Sequence, residues 1–148
     1  MTLQTSARPS DGRRERLKQG ISLPVVSNFF PIERYYEGAT AVYNGFQEVC
    51  NDPKRLDDAY VYGKRYCLFC LDTIPTHNYY NLPKYKALKD KHQRQVNKVI
   101  MQLEDVAKRM DAEEVRLQKE REAQAKREAE ERARREQMEF EQLQQRAR

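Results

Sequence analysis

No glycine or proline occurs in the 65 residues after Pro83. Within that run Tyr85, Leu88, His92, Val96, Val99, Leu103, Val106 and Met110 recur at three- and four-residue spacings, with Leu117 one heptad further on. That period marks one apolar face of a long α-helix. Two shorter stripes precede it. Tyr35, Ala39, Val42, Phe46 and Val49 predict a helix that starts near Pro31, a residue suited to a first helical turn. Gly38 and Gly45 interrupt this stripe, each costing about 1 kcal/mol relative to alanine. Asn51, Asp52 and Pro53 read as a stop and restart, with Asp52 as cap and Pro53 in the first turn. The second stripe is Leu56, Ala59 or Tyr60, Gly63, Tyr66 or Cys67, Cys70 and Ile74, and Pro75 is expected to end it. No run alternates as a strand would, and no Asn-Gly or Asp-Gly pair joins two such runs. The expected fold is all-α: a three-helix bundle whose third helix is long and continues as a charged, solvated helix.

Charge divides the 148 residues. Charged side chains make up 34%, against about 25% in an average domain, and the mean hydropathy is −1.02. So much charge cannot all surround one core. Residues 112–148 hold ten basic and ten acidic side chains, so the net +5 belongs to residues 1–111. All nine tyrosines lie between Tyr35 and Tyr85. Three segments follow: a disordered leader over 1–27, a helical bundle over 28–111, and a Glu/Arg-rich helical extension over 112–148. The leader has few apolar residues to offset ordering, although Ile21, Leu23, Val25 and Val26 offer a means of docking.

The longest apolar run, Tyr66 to Leu71, is far short of a membrane span. No apolar stretch follows Arg8, Arg13, Arg14, Arg16 and Lys18, so a secretory signal is not expected. Cys50, Cys67 and Cys70 are too few and odd in number for a disulfide framework, which points to free thiols in the cytoplasm.

Catalysis is not expected. His77 and His92 are the only histidines, and neither H-x-H nor H-E-x-x-H occurs. The Cys67–Cys70 pair invites a redox or zinc reading, but no βαβ pattern or second ligand pair accompanies it. Both cysteines fit better as small apolar residues on the buried side of the second helix. No cofactor or metal is expected. The run Lys84, Lys86, Lys89, Lys91, Arg94 and Lys98, opposed only by Asp90, suits an acidic partner or an anionic surface. No nucleic-acid motif accompanies it. Tyr60 and Tyr66 are expected in the core, while Tyr62 and Tyr79 are interface candidates. In the tail, Glu122–Lys126, Glu128–Arg132, Glu130–Arg134 and Glu131–Arg135 fall at i,i+4 and support a helix that needs no core. Apolar heptad positions hold only to about Leu117, so self-association is expected to use residues 85–117.

Residues 59–80 read AYVYGKRYCLFCLDTIPTHNYY and residues 29–36 read FFPIERYY. Together they resemble the MIT-like amino-terminal dimerisation domain of AMSH-type endosomal deubiquitinases and ubiquitin-specific protease eight. The matching positions are Pro31, Arg34, Tyr35 and Tyr36, then Ala59, Tyr60, Tyr66, Pro75, His77 and Tyr80. The charged helix that follows is similar too. Gly63 and Tyr62 depart from the family pattern, which has tyrosine and leucine there, and Gly63 is expected to loosen the second helix.

The resemblance implies a cytoplasmic module, peripheral at endosomes, that binds acidic C-terminal helices of ESCRT-III subunits and forms a homodimer. Helix three, with Tyr62 nearby, would supply the binding face, aided by anionic endosomal membrane. His77 would be a packing or capping residue of a turn. The chain lacks the family's metalloprotease motif and the length of its cysteine-protease domain. It is therefore expected to be an adaptor, or the regulatory amino-terminal part of a larger deubiquitinase that continues past Arg148. A basic RNA- or membrane-binding helical protein is the remaining alternative.

Overall fold

The computed structural model describes residues 7–148, and every structural statement below concerns these. They form four α-helices and no strand: α1 (Asp11–Gln19), α2 (Ile32–Val49), α3 (Leu56–Leu68) and α4 (Lys86–Arg146). Helices α2, α3 and the first part of α4 correspond to the three apolar stripes. Two compact units result, one ending at Asp111 and the other running from Ala112 to Arg148.

The core of the first unit is built where the stripes meet. Ile32, Ala39 and Phe46 of α2, Ala59 and Tyr66 of α3, and Val96, Val99, Val106 and Met110 of α4 are buried, as is Ile74 after α3. Gly63 is the tightest point. A Cβ there would stand 2.5 Å from Leu103 Cδ2 and 3.0 Å from Phe46 Cε2. The glycine expected to loosen α3 is thus the seat on which Leu103 packs. Gly38 has open space around it, and Gly45 faces only the ring of Tyr62 at ordinary contact distance.

Three boundaries differ from expectation for local reasons. Pro31 is extended (φ −62°, ψ 147°) and precedes the helix rather than entering it. Asp52 turns its carboxylate to the Lys54 amide (2.9 Å), so residues 52–55 form a turn and α3 starts only at Leu56. Pro75 does not stop α3 abruptly. The α-helix widens into a π turn (Phe69–Thr73) and then tightens into a 3-10 turn (Ile74–Thr76) that has Pro75 in its first positions, where no N–H is required. Ile74 stays helical in front of proline, against its local preference, because its side chain is fully buried.

The leader corrects the sequence reading most. Residues 1–6 lie outside the described part, but residues 11–19 form a helix and belong to the first unit rather than to a disordered segment. α1 has no apolar stripe of its own and is held by polar contacts. Arg13 pairs with Asp57 of α3 at 2.7 Å, and Arg8 pairs with Asp111 of α4 at 2.8 Å. Ser10 is fully buried and donates both its hydroxyl and its amide to the Asp111 carboxylate. Leu17 and Leu23 pack against the core, while Val25 stays exposed.

In the second unit every residue from Gln118 on is exposed. Its helix is supported along its own surface by Arg116–Glu120 (2.9 Å) and Arg135–Glu131 (2.6 Å). Glu122 and Glu128 accept instead from Gln118 and Gln124, four residues earlier.

Candidate functional site

The basic run does not form one face. At 3.6 residues per turn, nine residues carry a side chain halfway round the helix. Lys89 and Lys98 therefore stand on opposite sides of α4. Lys84 and Lys89 are drawn to the turn before α4: Lys84 lies over the Tyr85 ring, and Lys89 lies 4.4 Å from the centre of Tyr80 and reaches Asn81 Oδ1 at 3.2 Å. Lys86 pairs with Asp90 at 3.4 Å. Lys91, Arg94 and Lys98, spaced i, i+3 and i+7, share one exposed stripe and form no ion pair among the described residues.

That stripe borders the seam between α2 and α4. Lys98 Nζ lies 5.9 Å from the ring of half-buried Tyr43, a residue the sequence reading passed over. Gln47 and Gln102 exchange side-chain hydrogen bonds across the seam at 2.8 and 3.0 Å. Beneath lies a buried polar cluster. His92 stacks on Tyr36, with centroids 4.9 Å apart, and its Nδ1 lies 2.8 Å from Tyr66 Oη. Tyr66 Oη donates to Gln95 Oε1 at 2.9 Å. One hydroxyl proton cannot serve both partners, so Tyr66 accepts from a proton on His92 Nδ1, and Nε2 is left bare. Burial, reinforced by the like charge of Lys91, pulls the His92 pKa down to about 4. Burial likewise raises the Tyr66 hydroxyl well above its ordinary value. The far side of α4 is less open, because Arg8 and Ser10, just before α1, engage Glu104 and Asp111 there, while Arg13 of α1 engages Asp57 of α3.

The other singled-out residues serve the scaffold. Ala59, Tyr60 and Tyr66 are buried. Tyr62 is half-buried and fills the space beside Gly45 between α2 and α3, so it is not a free interface side chain. Tyr79 is half exposed. Pro31, Tyr35, Pro75, His77 and Tyr80 gather where the chain enters α2 and where it turns after α3. His77 Nε2 donates to the Phe30 carbonyl (2.9 Å) while Nδ1 accepts from the Tyr79 amide (3.1 Å), which fixes its tautomer. Its ring meets Tyr35 edge-on, and Tyr35 Oη bonds both backbone groups of Ser27. This knot ties two loops together with both ring nitrogens of His77 already engaged.

Cys50, Cys67 and Cys70 are buried and unpaired. Burial pushes the Cys67 thiol up to about 11 and the Cys70 thiol up to about 12, the opposite of a reactive cysteine. Among the described residues no group of His, Cys, Asp and Glu is placed to hold a metal ion, and no helix is long and apolar enough to cross a membrane. No protein-family model, curated protein or solved structure matches this chain.

Proposed function

We propose that this chain is a non-catalytic, MIT-like interaction module of the endosomal, ESCRT-linked deubiquitination pathway, and that it takes an acidic amphipathic helix of an ESCRT-III subunit along the α2–α4 seam. The family and the pathway in this reading come from the Pro31–Tyr36 and Ala59–Tyr80 motifs. The observation that carries the location is the exposed stripe of Lys91, Arg94 and Lys98, which forms no ion pair among the described residues, with Lys98 beside Tyr43 and the stripe on the side of α4 away from the Arg8 and Ser10 contacts. A helix laid in a groove between two helices is a common recognition mode, and a rim of like charge sets its orientation and on-rate. The module would work in the cytoplasm at the endosomal surface, either as an adaptor or as the recruiting part of a deubiquitinase. An RNA reading is weaker, because Lys84, Lys86 and Lys89 lie off this stripe, Lys86 paired with Asp90 and Lys89 with Asn81 and the Tyr80 ring.

Titration with acidic C-terminal ESCRT-III peptides, followed by calorimetry, tests the proposal. Reversing Lys91, Arg94 and Lys98 to glutamate should weaken binding at least about tenfold, since rim charges contribute roughly 0.2–1 kcal/mol each even without reversal. If no subunit's peptide binds at hundreds of micromolar, the proposal fails.

A further inference from the structure

One end of the bundle leaves apolar side chains in water on a fixed backbone. Two loops meet there, residues 27–30 before α2 and residues 77–82 after α3. The Asn78 amide donates to Asn28 Oδ1 at 2.9 Å, close to the bond from His77 Nε2 to the Phe30 carbonyl. These ties hold the loops side by side, and the apolar residues next to them stay outside the core. Phe29 is 98% exposed, Tyr79 51%, Leu82 44% and Phe30 42%. The fold gains nothing from a phenylalanine left in water, and the hydrophobic effect favours covering it.

Charge at the same end is mostly of one sign. Residues 27–34 and 77–89 carry Arg34, Lys84, Lys86 and Lys89 against one acid, Glu33. Glu33 is half-buried, with Oε2 out of the solvent. Asp90, one turn further on, pairs with Lys86 in an exposed contact. The three lysines precede or open α4, whose first turn holds no acidic residue. The positive end of the helix dipole disfavours cations at such positions and favours acids. Folding alone would put carboxylates there, as α3 does with Asp57 and Asp58.

We infer that this end of the bundle docks on an anionic lipid surface, with Phe29 and Leu82 entering the interface and Arg34, Lys84 and Lys86 meeting headgroup phosphates. Exposed apolar side chains ringed by cations are what such a surface takes up: the apolar area enters the acyl boundary and the cations stay with the headgroups. Tyr79, with an apolar ring and a polar hydroxyl, suits the level between them. A side chain as exposed as Phe29 stands clear on every side. A folded partner would need a cavity cut to it, whereas lipid closes around it. The tied loops have little freedom left to lose on insertion. Lys98 of the α2–α4 seam lies about 18 Å further along α4 than Lys86, so the docking end and the seam are separate surfaces.

The test mixes the full chain with vesicles of phosphatidylcholine, either alone or with one part in three of phosphatidylserine. Phe29→Trp gives the chain its only tryptophan. Its emission should shift to the blue with the anionic vesicles and be quenched by bromine on their acyl chains. Ile100→Trp, at an exposed site about 21 Å along α4 from Lys86, should do neither. Phe29→Ala should weaken cosedimentation with the anionic vesicles at least about fivefold, with the fold unchanged because the ring packs on almost nothing. Lys84→Glu with Lys86→Glu should weaken it at least about 25-fold, near fivefold for each charge. The same double variant should keep or raise the urea midpoint, since acids suit a helix start; lysines with a structural role would lower it instead. Acidic-peptide affinity measured without vesicles should not change in Phe29→Ala, which separates failure here from failure of the seam reading. No emission shift with anionic vesicles, an equal shift with neutral ones, or a shift that follows protein concentration without lipid, as a second copy covering Phe29 would give, would each overturn the inference.

Discussion

Acidification should destabilise the bundle through one proton on His92. The ring is 3% exposed, stacked on Tyr36, and already gives its single N–H to Tyr66. A second proton would go to Nε2 and place a cation in the core. In the unfolded chain the imidazole titrates near 6.5, and in the fold near 4. Above about pH 6.5 both states are neutral and the effect vanishes. Below it the unfolded chain binds a proton that the fold refuses, so stability falls until the folded group also protonates near pH 4. Between about pH 7.5 and 5 the loss comes to about 2 kcal/mol, approaching one proton per molecule in slope. That is a large share of the 5–15 kcal/mol typical of a domain.

Urea melts followed by tyrosine fluorescence measure it cleanly. The chain has no tryptophan and all its tyrosines fall within the bundle, so the tail helix is silent to this probe. The midpoint should drop by about 1 M over that range for an m-value near 2 kcal/mol/M. His92→Phe keeps the stack on Tyr36 and should flatten the profile. Asp111 does not confuse the window. Partial burial works against its ionisation, but hydrogen bonds from Ser10 and Arg8 hold its pKa below the ordinary 3.8, so its contribution is present at higher pH and lost only as pH falls below about 4. A wild-type profile that is flat between pH 7.5 and 5, or a slope that persists in His92→Phe, would refute the reasoning.

Gly63→Ala should destabilise by about 1–2 kcal/mol in the same melts: the new methyl meets Leu103, and the strain of overpacking outweighs the roughly 1 kcal/mol gained in helix propensity. Tyr36→Phe should be neutral or slightly stabilising, since the Tyr36 hydroxyl is buried without a partner among the described residues, whereas Tyr66→Phe should cost about 1–3 kcal/mol by stranding Gln95 and His92. Asp111→Asn should raise the hydrogen-exchange rates of residues 11–19 at least about tenfold while leaving α2 protected, because the ties from Arg8 and Ser10 to α4 are then weakened. Aromatic disulfide reagents at about pH 8 should modify Cys67 and Cys70 at least about 100-fold more slowly in native buffer than in urea.

The three main helices were legible because each carries an apolar face at helical period, and most of those residues are buried, although Tyr35, Val42, Tyr85 and Leu88 are only partly so and Ile32 and Tyr36 fill the core beside them. α1 was not, because periodicity sees only helices that bury an apolar stripe. Its hold comes from Arg8, Ser10 and Arg13 meeting Asp111 and Asp57, partners distant in sequence. The nearest local signal was Ser10–Asp11 at one end and Gly20 after a basic last turn at the other. Gly63 misled for a related reason: its propensity is local, but its value lies in the approach of Leu103 from α4. The basic run looked continuous because sequence order hides rotation. Half a turn of α4 separates Lys89 from Lys98, and Lys84 and Lys89 are held by Tyr85, Tyr80 and Asn81 of the turn before α4.

One helix does two kinds of work, and the division follows from what its side chains can bury. Up to Met110 each turn of α4 supplies a valine, leucine, methionine or histidine to the bundle, and the cations that remain outside are the ones a partner can reach. From Ala112 on, no bundle residue is needed and the helix stands on its own pairs, Arg116 with Glu120 and Arg135 with Glu131. Such pairs give a few tenths of a kcal/mol each. They do not account for Val115, Phe140 and Leu143 being left in water on one stripe. A helix meant only to be solvated would lose nothing by carrying polar residues there. The two halves can therefore be tested separately: reversal of Lys91, Arg94 and Lys98 should leave the helicity of residues 112–148 unchanged by circular dichroism, and Lys119→Glu should leave a peptide's affinity for the α2–α4 seam unchanged.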